Sequence, residues 1–184
     1  RILFSDGTTR WVSDTTARVG NGYASGQASV YVLPVQLPAL QSGEFISAAK
    51  LSIQLSAWSN HNALSAVDLY GITFEDSVST VDDSRYFVDG SNSISNPDAL
   101  RLQDNFAHTS DINDSSESAA NIQITSIDFA THVESLYAGG AQAGDFMFLI
   151  LAHDSTLTLQ RYYTFGTSDS GSKPEVEFVI SQVE

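Results

Sequence analysis

An all-β fold, an antiparallel β-sandwich of jelly-roll type with one short helix, is what this sequence predicts. Three observations lead there. Short apolar runs alternate in polarity and are separated by clusters of Gly, Asn, Asp and Ser. A single segment switches to a helical period. Hydrophobic residues at 42% in a chain of 184 suffice to bury the core of one domain without disulfides. Residues 1–184 therefore read as one domain, with no internal repeat and no linker.

The elements follow in order. The first 27 residues include Trp11, Arg18 and Tyr23, and their pairing pattern is undefined. Residues 28–37 (ASVYVLPVQL) read as a mostly buried strand, which Pro34 and Pro38 place near an edge or a bend. Residues 50–57 alternate, with Leu51, Ile53, Leu55 and Ala57 on one face and Lys50, Ser52, Gln54 and Ser56 on the other. Residues 67–72 form a further strand. Residues 75–121 then read as a long irregular stretch rich in Ser, Asp and Asn, the kind of loop that carries function or motion.

Residues 126–138 hold the helical period: Phe129, Val133, Leu136 and Tyr137 share a face. Thr125 or Ser126 can cap its start, Asp128 suits the first turn, and Gly139–Gly140 can end it in a left-handed turn. Residues 145–153 contain FMFLIL, apolar on both faces and so expected centrally, beneath a loop or helix. Residues 157–167 and 175–180 complete the strands.

Composition excludes several function classes. Eight basic against 22 acidic residues leave a net charge of −14, which repels phosphate backbones and argues against nucleic acid. No apolar run reaches the ~18 residues of a membrane helix. The lack of Cys removes thiol catalysis and Cys-ligated metals. Charged residues make up only 16%, so Ser, Thr, Asn and Gln must cover much of the surface, which suits a neutral hydroxylated partner. The chain starts at Arg1 without a charged-plus-apolar leader and is expected to be a module of a longer or processed polypeptide.

Catalytic patterns are weak. The carboxylate pairs Glu75/Asp76, Asp82/Asp83 and Asp111/Asp114 lie in polar stretches and read as solvated surface. His61, His108, His132 and His153 come without a nucleophile elbow, and His132 and His153 read as structural. Asp111, Asn113 and Asp114 alternate hard oxygen ligands of the sort calcium takes; a solvated acidic loop is the default reading, and a structural calcium held by these residues is the alternative.

Aromatic residues out of phase with the core point to sugar binding. Extending the 50–57 alternation puts Trp58 on the polar face, followed by Ser59-Asn60-His61-Asn62. A ring that stacks on the C–H face of a sugar, beside His61 and Asn partners, is one reading; a Trp covered by a neighbouring loop is the other. Arg161 shares a phase with Leu157, Leu159, Tyr163 and Phe165, so it must be paired or line a cleft. Tyr162 shares the opposite face with Thr158, Gln160 and Thr164. Asp68 and Tyr70 project together from their strand, and Arg85 and Tyr86 stand adjacent in the irregular stretch. Trp58, His61, Arg161, Tyr162, Tyr70, Arg85 and Tyr86 are thus the candidate ligand-binding residues.

A set of ordered segments carries a resemblance: ARVGNGYASGQASVYVLPVQLPAL at 17–40, ISAAKLSIQL at 46–55, VDLYGI at 67–72, LRLQDNFAHTS at 100–110, IDFATHVESLYAGG at 127–140, GDFMFLILAHD at 144–154 and KPEVEFVI at 173–180. Together they resemble the DNRLRE-type jelly-roll modules, a group that includes alginate-binding carbohydrate modules. The resemblance spans nearly the whole chain, and its motifs are structural. It implies a module appended to secreted polysaccharide-degrading enzymes or surface proteins of marine bacteria.

The expected function is a non-catalytic carbohydrate-binding module, secreted or on the cell surface, covalently linked to a catalytic domain and binding an extracellular polysaccharide. The strong negative charge makes a neutral galactan such as agarose a better fit than alginate. A structural or adhesive domain of a surface protein is the alternative, and a polysaccharide lyase or hydrolase comes third.

Overall fold

The computed structural model describes residues 2–4, 9–10, 16–24, 27–59, 66–78, 99–108, 111, 120–153, 162–168, 170–171 and 173–183. They form eleven strands and one helix: β1 (Ile2–Phe4), β2 (Thr9–Arg10), β3 (Thr16–Ala24), β4 (Gln27–Gln36), β5 (Glu44–Ser59), β6 (Ala66–Glu75), β7 (Leu100–His108), β8 (Ala120–Ser126), α1 (Ile127–Ala138), β9 (Phe146–His153), β10 (Tyr162–Gly166) and β11 (Glu175–Gln182). All strand pairs are antiparallel. Hydrogen-bonded neighbours run β11-β5-β10-β3-β4-β9-β6-β7, with β8 beside β5, and β1 beside β2 and β4. The fold is all-β with one helix, as the alternation predicts. Its pairing is unbroken through β10, β3 and β4, so a single curled sheet wraps the core.

Alternation decides which residues enter that core. Ala17 and Val19, Tyr31 and Leu33, Leu51, Ile53 and Leu55, Val67 and Leu69, Met147, Leu149 and Leu151, and Tyr163 and Phe165 meet in one cluster. Phe148, Ile150 and Ala152 point the other way, into a second buried cluster with Val30, Val32 and Ile72. β9 is therefore apolar on both faces because both are buried, and it lies between β4 and β6.

β5 spans the sheet by bulging twice. Facing β11, it carries Ser47 as an extra residue, whose hydroxyl donates to the Val179 carbonyl. Facing β10, Ser56 is the extra residue, and its hydroxyl donates to the Thr164 carbonyl. Each bulge reverses the side-chain phase. Ile46 faces inward ahead of the first bulge, as do the odd-numbered Ala49, Leu51, Ile53 and Leu55 beyond it.

Helix α1 closes one end of the core with Phe129, Ala130, Val133 and Leu136. Its C-terminus is a Schellman turn. Ala141 N–H bonds the Leu136 carbonyl, Gly140 N–H bonds the Tyr137 carbonyl, and Gly140 has φ 104°. Glu134 Oε1 accepts from Ile46 N–H, and the Tyr137 hydroxyl donates to the Pro38 carbonyl, which ties the helix to two flanking segments. Tyr137 is raised above the usual phenol range, by burial first and then by the negative charges of Glu134 and Asp145. Among the described residues no helix is long and apolar enough to cross a membrane.

The irregular stretch at 75–121 is corrected by the structure. It contains all of β7 and the start of β8, and β3 occupies the undefined N-terminal part.

Candidate functional site

Among the described residues, a polar constellation lies on β6 and β7. Val67 and Leu69 point into the core, so Asp68 and Tyr70 point away from it. Between the pairs Val67–Ala107 and Leu69–Gln103, β7 advances four residues while β6 advances two, and a further residue is added before Tyr70–Arg101. A strand with so many extra residues cannot stay in the ladder, and it bulges. Asn105 sits in the bulge with φ 52°, a left-handed conformation that Asn tolerates better than most residues.

This bulge folds around Asp68, which is only 2% exposed. Asn105 N–H donates to Asp68 Oδ1 at 2.9 Å, and the Tyr70 hydroxyl donates to Oδ2 at 3.1 Å. Arg101 Nη1 stands 3.5 Å from the same Oδ2 and donates to Asp104 Oδ1 at 2.9 Å. Asn105 Nδ2 donates to Asp104 Oδ2 at 3.1 Å. The Arg101 side chain remains 53% exposed, so its guanidinium is fixed between two carboxylates and still faces solvent.

The electrostatics follow from this arrangement. Burial, together with the charge of Asp68 and its hydrogen bond, pushes the Tyr70 phenol up to about 12. Tyr70 is accordingly a neutral donor at physiological pH. Arg101 is pushed further up by Asp104 and then Asp68. Two carboxylates against one guanidinium leave this patch with one net negative charge. It combines donors, acceptors and the edge of a half-buried ring, the equipment for gripping hydroxyl groups.

A second polar aromatic pair lies on β3 and β10. The Arg18 guanidinium is 4.7 Å above the Tyr162 ring, on the face opposite Val19 and Tyr163. Tyr162 occupies the outward phase the sequence assigns it, but Arg18 already covers one face of its ring.

Trp58 requires a correction. The bulge at Ser56 returns it to the inner face, where it is paired with Tyr163 and packs against the core. Trp58 and Tyr162 therefore point to opposite sides of the sheet and do not share a platform. His153, at the end of β9, is buried with its ring 6.1 Å from that of Tyr163.

Asp111 is exposed, and its Oδ2 accepts from His108 N–H at 2.7 Å. Asn113 and Asp114, and likewise His61, Arg85, Tyr86 and Arg161, lie outside the described residues. Among the described residues no group of three acidic, His or Cys side chains could hold a metal.

Of the ligand-binding candidates, Tyr70 falls in the constellation, and Asp68 with it. Arg101, Asp104 and Asn105 were missed, although one signal was available: the apolar phase of Leu100 and Leu102 breaks at Asp104-Asn105 and resumes at Phe106-Ala107. No protein-family model matches the chain, and no curated protein matches it significantly.

Proposed function

We propose that this protein is a non-catalytic carbohydrate-binding module that holds a neutral extracellular polysaccharide on the outer face of β6 and β7. One observation carries the reading: a solvent-facing guanidinium clamped by Asp68 and Asp104 beside Tyr70. Fixed donors lose little side-chain entropy on binding, and the adjacent carboxylate of Asp104 supplies an acceptor for the same sugar. The patch is net negative within a chain of −14, which favours a galactan such as agarose over alginate. A single shallow face gives modest affinity, which covalent linkage to a secreted catalytic domain would raise through effective concentration.

A lyase or hydrolase needs an acid or base whose pKa lies near the working pH. A phenol held at about 12 is a poor base there. The adhesive reading draws on β11, where Val179 and Ile180 are exposed beside Val183.

The test is affinity electrophoresis in agarose, carrageenan, alginate, laminarin and xylan. Retardation in one neutral polymer, abolished by Arg101→Ala and by Tyr70→Ala in proteins that remain folded, is the expected result. Uniform migration in every gel would reject the module and favour the adhesive domain.

A further inference from the structure

His132 projects from α1 onto β6 at Gly71, on the face of β6 opposite Tyr70. Its side chain is buried, 5% exposed, and its Nε2 has no hydrogen-bond partner among the described residues. The ring lies so close to β6 that a Cβ placed on Gly71 would collide with Nε2 and Cδ2. Gly71 is thus a seat that only a residue without a side chain can provide.

The neutral imidazole fits this seat, since one unprotonated ring nitrogen needs no acceptor. The imidazolium fits less well. Both of its nitrogens are donors, and the hydrogen bond that the Ile72 backbone offers offsets only part of the cost of burying the charge. Charged groups on the packing elements are engaged elsewhere or face away. On α1, Asp128 is exposed and Glu134 takes the Ile46 N–H. On β5, Glu44 takes the Gln41 N–H, and Lys50 pairs with Glu177. On β6, Asp68 belongs to the network on the other face, and Glu75 lies past the bulge that follows Ile72. On β7, Arg101 and Asp104 pair with each other, and His108 lies at the far end of the strand. β8 has no titratable residue. None of these charges acts appreciably on the ring. Burial lowers its pKa below the usual 6.5, and the Ile72 backbone opposes that only in part.

We propose that the His132–Gly71 contact is an acid-sensitive latch: protonation of His132 releases α1 from β6. The latch is independent of whether the β6–β7 face binds a glycan. Its sign follows from linkage. The docked state binds the proton less well than the released state, so docking is complete above pH 6.5. It weakens as pH falls below that value, by up to about tenfold per pH unit, and levels off beneath the depressed pKa.

Two measurements test it. Protection factors of α1 amides in native protein, followed by hydrogen exchange from neutral pH to about pH 5, should fall while those of β4 and β9 hold. In His132→Phe, which keeps a ring but no proton, α1 protection should stay flat over the same range. NMR titration of the His132 ring in the unmodified protein needs no variant, and should show a pKa below that of a free imidazole. An ordinary imidazole titration with unchanged α1 protection would overturn the latch. So would an equal loss of protection in His132→Phe.

Discussion

Removing the Asp68 carboxylate tests the β6–β7 network most directly. In Asp68→Ala, the Asn105 N–H loses its charged acceptor at 2.9 Å and the Tyr70 hydroxyl loses one at 3.1 Å. Hydrogen bonds to a charged group contribute about 1.5–3 kcal/mol each when buried. Asn105 is exposed, so its N–H can turn to water and its share falls to the low end. The Arg101 pair is longer and half in solvent, and adds little to this. Asn105 also loses the bond that holds its left-handed conformation. The sum is a loss of about 3 kcal/mol, and for a chain of this length each kcal/mol shifts Tm by about 2–4 °C.

The assay is urea denaturation of the native protein, Asp68→Ala, Tyr70→Phe and the double variant. If the hydroxyl acts through Asp68, the two changes are non-additive by about 1 kcal/mol. A loss below about 0.5 kcal/mol for Asp68→Ala, in the range of ordinary surface substitutions, would refute the reasoning. Strict additivity with Tyr70→Phe would refute the assigned bond.

Other expectations are simpler. Tyr70 has a folded pKa raised from 10.0 to about 12, so its contribution to stability is whole below pH 10 and is lost as pH rises towards 12. Ultraviolet phenolate titration should therefore show a late transition that is absent in Tyr70→Phe and moves down in Asp68→Ala. Gly71→Ala drives a methyl into the His132 ring and should cost about 1–3 kcal/mol by overpacking, read as a lower urea midpoint. Trp58→Ala should lower stability by about 2 kcal/mol, because the ring packs on the core, yet leave polysaccharide retardation intact. Loss of retardation without loss of stability would put Trp58 back among the sugar contacts.

The elements legible in the sequence are those whose side chains keep one phase. Leu51, Ile53 and Leu55 read correctly because no bulge falls between Ala49 and Leu55. FMFLIL announced a strand buried on both sides, and Gly139–Gly140 announced a left-handed helix end, because each depends on residues adjacent in the chain. β7 failed for the opposite reason. Its pairing with β6 takes up extra residues twice, so Asp104-Asn105 looks like a turn between two short apolar fragments. Trp58 failed on a single residue, since the bulge at Ser56 reverses every phase beyond it.

The same physics divides the candidate site. Asp68 and Tyr70 are two apart on one strand, so alternation alone places them together. Arg101, Asp104 and Asn105 come from a strand whose register depends on a pairing more than 30 residues away. No local pattern announces that contact. A β7 in regular register would keep its ladder bonds and would not need Asn105 in a left-handed conformation. With the extra residues it surrounds a buried carboxylate and presents a guanidinium to solvent. Local sequence rules are broken here around an exposed Asn105, and departures of that kind concentrate at functional sites. The bulge that concealed β7 in the sequence is thus the reason to test this face for ligand binding.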